Sequence, residues 1–322
     1  MDISLAALAS NLLAPTILFF VLGLLAAIAR SDLSIPDGAA KIMSIYLLLA
    51  IGFKGGAAVA DTGISQELIG SLIVGIILSF GLPFLAFALL KVLTRLDNLN
   101  AAAVAGHYGS ISIVTFVTAV SLLESRAIPS EGFMVAVAAA MEVPAIISAL
   151  WLAARKANAA PVDTSLYHHI LGNGSIVLLL GSFVIGAVTG QEGLEQLNPF
   201  IVVPFTGVLA VFLLDMGLSA GKSLMENRKD ISGGLLVFGC VMPLISSLFG
   251  WGAGKLVGLS DGGVFLMMVL SASASYIAVP AAMRLALPQA KSGIYLSLSL
   301  GVTFPFNLTL GLPIYFLLAS WG

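Results

Sequence analysis

Apolar stretches follow one another along this chain with only short charged or turn-rich segments between them. A transmembrane α-helix needs about 20 consecutive apolar residues. Runs bounded by charges and turn residues predict ten spans, at 11-29, 40-59, 68-92, 100-122, 132-154, 171-189, 200-221, 232-254, 262-283 and 293-320. Only 9% of the 322 residues are charged, against about 25% in a soluble domain, so the chain lacks the polar surface to coat itself in water. Lys+Arg 14 against Asp+Glu 16 leaves no basic face for nucleic acid. A soluble globular protein, a disordered chain and a nucleic-acid binder are thereby excluded. What remains is an all-α polytopic membrane protein, with membrane lipid around it. The single cysteine, Cys240, lies in an apolar run, so neither a disulfide framework nor a thiolate metal cage is expected. Met-Asp-Ile-Ser at the start carries no basic residue before the first apolar run, so the first span is expected to be retained.

Lysine and arginine set the orientation. Arg30, Lys41, Lys91, Arg95, Arg155, Lys156, Lys222, Arg228, Lys229, Arg284 and Lys291 all fall on the connections from odd to even spans. The other side carries only Arg126 and Lys255, and Lys54 lies within span 2. By the positive-inside rule this predicts a multi-pass protein of the plasma (inner) membrane with both termini outside the cytoplasm.

An internal repeat runs through the chain. Gly52-Phe53-Lys54-Gly55-Gly56 in span 2 corresponds to Gly217-Leu218-Ser219-Ala220-Gly221 in span 7, an offset of 165. Each contains a G-x-x-x-G, which lets helix backbones approach closely in lipid; plain packing explains such a motif equally well, and the matched position is what argues for a repeat. Near the same offset, residues 105-112 in span 4 face 271-276 in span 9, and Pro144 in span 5 faces Pro305 in span 10. The expectation is a first five-helix repeat over 1-156, a short cytoplasmic connection over 157-170, and a second repeat over 171-322. Five is odd, so the second repeat must be inverted, an architecture shared by many secondary transporters.

Spans 4 and 9 are unusual in composition. Eight of the twelve residues 101-112 are Ala, Gly or Ser, and so are eight of 271-282. Small residues suit close packing or a cavity wall. Gly106 and Gly109 permit unwinding, and Pro280 removes an amide donor, so both helices are expected to be discontinuous. Half-helix N-termini near the midplane attract anions, while free carbonyls and hydroxyls suit sodium. Glu142, about ten residues into span 5, is costly in lipid, about 3 kcal/mol, and needs a cavity, a cation or a polar partner. Thr303 and Asn307 bracket the matching proline in span 10. Lys54 and Asp215 occupy matching spans, where an internal ion pair and snorkelling are both open. His107 adjoins the span 4 break and reads as a packed hydrogen-bonding residue; Tyr276 either caps the site or packs; His168 and His169 read as interfacial. With no H-E-x-x-H, G-x-S-x-G or Walker loop, there is no catalytic constellation, and the protein is not expected to be an enzyme.

At these residues the chain resembles the sodium-dependent bicarbonate transporter family first known from cyanobacteria. The resemblance covers nearly the whole length. It is best at Gly106-x-x-Gly109-Ser110-Ile111-Ser112, at Met141-Glu142-Val143-Pro144-Ala145, and from Ser271-Ala272-Ser273-Ala274-Ser275 through Pro280, Arg284 and Pro288. It implies ten helices, a core domain against a gate domain, a homotrimer, and a cytoplasmic regulator as a further partner. Carried over by position, the anion meets Gly109, Ser110, Ile111, Ser112, Ser275 and Tyr276, and sodium meets Ser112, Glu142, Ser273 and Ser275, with no other metal. Three departures stand out. Tyr276 replaces an aspartate of the family pattern, Ile113 and Val114 replace a small Gly-Ser pair, and the connection between spans 5 and 6 is short. The expected function is a sodium-coupled symporter that imports a small monovalent anion, bicarbonate foremost, by alternating access. The alternatives are a sodium-coupled symporter for a small organic acid and a passive anion channel using the same broken helices.

Overall fold

The computed structural model describes residues 13-63, 65-157 and 174-321. Among these, every regular element is helical. In chain order they are α1 (Pro15–Ile28), α2 (Asp37–Thr62), α3 (Gln66–Leu93), α4 (Asn98–His107), α5 (Ile113–Ser125), α6 (Met134–Ala140), α7 (Glu142–Ala157), α8 (Gly174–Ile201), α9 (Phe205–Glu226), α10 (Gly233–Val257), α11 (Asp261–Ala272), α12 (Ala278–Ala286) and α13 (Ser292–Ala319). Among the described residues, seven stretches are long and apolar enough to cross a membrane: α2, α3, α6 with α7, α8, α9, α10 and α13. The other three expected spans take a different form. Span 4 is the pair α4 and α5, span 9 is the pair α11 and α12, and span 1 is described only from Leu13, with α1 starting at Pro15. Most of the expected cytoplasmic connection, with His168 and His169, lies outside the described residues.

Helix starts follow local chemistry. The side chains of Ser65, Asp97, Ser112, Ser232 and Ser260 each accept a backbone N–H three residues on, satisfying one orphan donor of the first turn. The Asp97 cap also fixes the entry to α4. Burial opposes its charge, but the Asn100 and Leu99 amides, the Asn100 side chain and Lys91 outweigh it and hold the carboxyl below the usual range. A carboxyl depressed on folding stabilises the fold above its unfolded pKa, and that contribution fades as pH falls through the folded value. From the same cap, Asn100 Oδ1 accepts the Lys291 N–H at 2.8 Å, tying α4 to the start of α13. Prolines interrupt two long helices at corresponding places, Pro83 in α3 and Pro243 in α10. Each lacks an amide proton and so leaves a carbonyl four residues back without its helical donor.

Two helix pairs have the most extensive contacts, α2 with α8 and α1 with α9. Glycine makes both possible. A Cβ on Gly56 would sit 1.9 Å from the Phe183 carbonyl, and one on Gly52 would sit 2.6 Å from that of Leu179; α8 returns the contact with Gly186 against Phe53. In the other pair Gly217 lies against the Phe20 carbonyl, Gly221 against Leu24 and Ala27, and Gly23 of α1 lies against Leu214. Each glycine pair named from the sequence is thus completed by a third glycine on the facing helix.

Backbone contact this close leaves no room for a methyl. Alanine at an open helical position gains up to about 1 kcal/mol over glycine, whereas overpacking typically costs 1–3 kcal/mol. Gly56→Ala and Gly217→Ala are each expected to lower the melting temperature in detergent. Gly207→Ala, where a Cβ meets nothing within 4 Å, is expected to leave it unchanged or raise it. Thermal denaturation of the three variants beside the parent checks this.

Candidate functional site

The two helix breaks lie against one another and supply each other's missing hydrogen bonds. After α4 the chain runs through residues 108-112 without helical structure before α5 begins, and after α11 it does so through 273-277 before α12. The Ser112 N–H donates to Ser273 Oγ at 2.9 Å. The Ser275 N–H donates to the His107 carbonyl at 2.8 Å. Ser112 and Ser273 are 161 residues apart, the spacing that also separates Pro144 from Pro305.

Around this crossing the serines of the breaks and Gly109 each hold a neighbouring element. Ser112 Oγ accepts the Thr115 N–H and the Thr115 hydroxyl, the latter at 2.9 Å, and so caps α5. Ser273 Oγ, besides accepting from Ser112, donates to the Leu270 carbonyl at 3.0 Å. Ser275 Oγ accepts the Val279 N–H at 3.4 Å in the first turn of α12. Gly109 is pressed onto the kink in α3, where a Cβ would come 2.4 Å from Pro83 Cγ and 2.6 Å from the Ser79 carbonyl that Pro83 leaves free. Only glycine fits there.

Expected span 5 is interrupted at Met141, and Glu142 is the first residue of α7. Its carboxylate therefore sits at the positive end of a helix, where negative charge is favoured. Glu142 Oε2 accepts the Ser110 hydroxyl at 2.5 Å, which fastens the α7 start to the first break. Pro144 occupies the first turn of α7, where its missing donor costs nothing, and the Ser79 hydroxyl serves the Met141 carbonyl at 2.5 Å.

A small cavity of about 20 Å³ opens at this junction, lined on one side by Ile111, Ser112, Ile113, Glu142, Ser275, Tyr276 and Ile277. Leu48 of α2 and Ile176 and Leu179 of α8 form the other side. This volume admits one water-sized centre. The Tyr276 hydroxyl is fully buried and lies beside Ser112, yet no hydrogen bond of normal geometry satisfies it. Leu48 and Ile277 also line a crevice of about 700 Å³ together with Lys41, Ser44, Phe212 and Met216. A separate hollow of about 290 Å³, lined among others by Lys54, Glu124, Glu131 and Gln191, holds the Lys54–Glu124 ion pair.

Of the residues singled out from sequence, Ile111, Ser112, Glu142, Ser275 and Tyr276 meet at the cavity wall. Gly109, Ser110 and Ser273 do not reach it and stand behind it, holding α3, Glu142 and Ser112 respectively. Lys54 pairs with Glu124 rather than Asp215, with its ammonium 5.0 Å above the Phe205 ring. His107 is buried, donates from Nδ1 to the Ala103 carbonyl at 2.7 Å and stacks on Tyr295. The apolar wall of Leu48, Ile176, Leu179 and Ile277 carried no sequence signal, because an apolar side chain facing a cavity reads like one facing lipid. Among the described residues no group of three or more His, Cys, Asp or Glu forms a metal cage.

A family model described as the Na+-dependent bicarbonate transporter superfamily matches residues 15–320. No curated protein matches the chain.

Ser273 and Ser275 separate the crossing from the wall. Ser273→Ala strips the buried Ser112 N–H of its acceptor, a loss of about 1–3 kcal/mol, whereas Ser275→Ala removes only a long capping bond. Thermal scans are expected to rank Ser273→Ala well below Ser275→Ala, with Ser275→Ala close to the parent.

Proposed function

The chain belongs to the Na+-dependent bicarbonate transporter superfamily, and from that premise we propose a sodium-coupled symporter that imports a small monovalent anion, bicarbonate foremost, by alternating access. The observation that carries this reading is the cavity between the two breaks. The N-termini of α5 and α12 both open on it, and free N–H groups at a positive helix end favour an anion. The unsatisfied Tyr276 hydroxyl offers a further donor to an oxyanion. Ser112, Ser275 and Glu142 present oxygen atoms, the hard donors that a small hard cation such as sodium takes. On this reading Ile111, Ser112, Ser275 and Tyr276 meet the anion, and Ser112, Glu142 and Ser275 meet sodium. Gly109, Ser110 and Ser273 act from behind the wall.

The two-repeat organisation is part of the same proposal. Exchanging spans 1 and 2 with 6 and 7 turns the α1–α9 contact into the α2–α8 contact, as an inverted repeat of five spans over 1-156 and 171-322 requires. Ser112 and Ser273 then pair across the pseudo-symmetry axis. The helices α1, α2, α8 and α9 serve as the gate domain and the broken helices with α3, α7 and α10 as the core domain. On this reading the core shifts against the gate to load the anion. The crevice sharing Leu48 and Ile277 lies on the Lys41 side, which the charge bias assigns to the cytoplasm, and the Lys54–Glu124 pair closes the other. Plasma (inner) membrane placement with both termini outside rests on that charge bias. A homotrimer and a cytoplasmic regulator follow from the resemblance alone.

In proteoliposomes, labelled bicarbonate is expected to accumulate above equilibrium only with an inward sodium gradient. Accumulation driven by sodium with a small organic acid but not with bicarbonate selects the organic acid symporter, and sodium-independent equilibration selects the channel. Glu142→Gln keeps the Ser110 contact but removes the charge. It is expected to insert and fold while losing at least tenfold in sodium-dependent uptake; uptake with unchanged sodium dependence would leave Glu142 a structural role.

A further inference from the structure

The cavity accounts for the residues around it but not for two polar side chains buried in α13. Thr303 and Asn307 are almost wholly inaccessible, and neither lines the cavity. They sit at the edges of an unusual backbone. Residues Ser297–Thr303 and Asn307–Gly311 are π-helical, separated by the single α-turn Phe304–Phe306 around Pro305. Runs of π-helix are rare and cluster at functional sites. Thr303 and Asn307 are four residues apart and so share a face of the helix.

Each of the two reaches one of the breaks. Thr303 Oγ1 donates at 2.8 Å to the Gly239 carbonyl, the one that Pro243, four residues on, leaves without a helical donor. With its only proton engaged there, Thr303 accepts from the Tyr108 hydroxyl at 2.6 Å, and Tyr108 is the first residue after α4. Asn307 Nδ2 donates at 3.0 Å to the carbonyl of Ala272, the last residue of α11. That carbonyl is among the orphan acceptors of a helix end. The Tyr315 hydroxyl donates to Asn307 Oδ1 at 2.8 Å, which fixes the amide with its NH2 towards Ala272.

We propose that Thr303 and Asn307 are positioning residues for the transport site. From the π-helical face of α13 they hold the last turn before each break, so that α5 and α12 aim their N-termini at one cavity. The proposal rests on the function given above for the site but concerns side chains that touch neither anion nor sodium. It accounts for the bonds from Thr303 and Asn307 and for the orienting role of Tyr315. Ser299, on the same π-helical stretch, donates only within its own helix, to the Tyr295 carbonyl, and has no such role.

The test compares Thr303→Val and Asn307→Asp, which keep the side-chain shape, with Ser299→Ala as the control, in full-length protein. Two quantities are read. One is the sodium-bicarbonate concentration for half-maximal uptake, set against the maximal rate per folded protein. The other is the rate at which a methanethiosulfonate reagent modifies a cysteine placed at Ile277, in a Cys240→Ser background. Both positioning variants are expected to raise the half-saturating concentration at least fivefold with most of the maximal rate retained, and to speed labelling at least threefold; Ser299→Ala changes neither. Tyr315→Phe, which only frees the amide, shifts labelling the same way by a smaller factor and serves if Asn307→Asp does not assemble. Labelling within twofold of the parent in the variants, or a lowered maximal rate at unchanged half-saturation, overturns the proposal. Should the parent itself take up no bicarbonate with sodium, the functional reading fails while labelling still decides this one.

Discussion

A helix interrupted inside a membrane leaves backbone N–H and C=O groups that lipid cannot satisfy, at several kcal/mol each. The whole arrangement of this protein follows from how that demand is met. The two interruptions cross, and each supplies the other: Ser112 N–H finds Ser273 Oγ, and Ser275 N–H finds the His107 carbonyl. Neighbouring helices add further bonds to the two breaks. The amide of Asn307 serves Ala272, and the start of α7 brings Glu142 to Ser110. The prolines in α3 and α10 take part in the same exchange. Pro83 frees a carbonyl against which Gly109 packs, and Pro243 frees one that Thr303 takes. None of these features stands well alone.

Outside this crossing lies a frame of a different character. The α1–α9 and α2–α8 pairs are held mainly by glycine seams and apolar side chains, with the Tyr46 hydroxyl of α2 donating to the Phe200 carbonyl of α8 at 2.6 Å. Such contact between helices depends on shape. Where the frame faces the crossing it presents Leu48, Ile176 and Leu179, residues that seal a cavity without holding its contents. Directional bonds dominate in the polar body, and packing dominates in the frame around it.

Much of this was legible in the sequence, for reasons that can be named. Small and hydroxylated residues in the middle of an apolar run have no use towards lipid, so 105-112 and 271-276 declared themselves, as did the charge on Glu142. The G-x-x-x-G pairs at Gly52 and Gly217 marked the seams because close approach requires the absence of a side chain. Three things stayed hidden. The apolar wall was invisible because cavity-facing and lipid-facing leucines are alike. The turn at Met141, which makes Glu142 a helix start, is signalled only by Pro144, which fits a kinked span equally well. Lys54 took Glu124 because α5, the second half of span 4, brings Glu124 against α2, a tertiary fact no local pattern encodes. For the same reason the sequence could not separate Ile111 and Ser112, on the wall, from Gly109 and Ser110 just behind it.

Anion and sodium are proposed to meet at the crossing of the two breaks. This is tested most directly by an experimental density map of the protein in saturating sodium bicarbonate, compared with one in choline chloride. Difference density is expected bounded by Ile111, Ser112, Ser275 and Tyr276, within reach of Glu142, in a widened cavity with Leu48 and Leu179 drawn back. Difference density at the Lys54–Glu124 hollow instead, or an unchanged cavity with α1, α2, α8 and α9 unmoved, would contradict that placement.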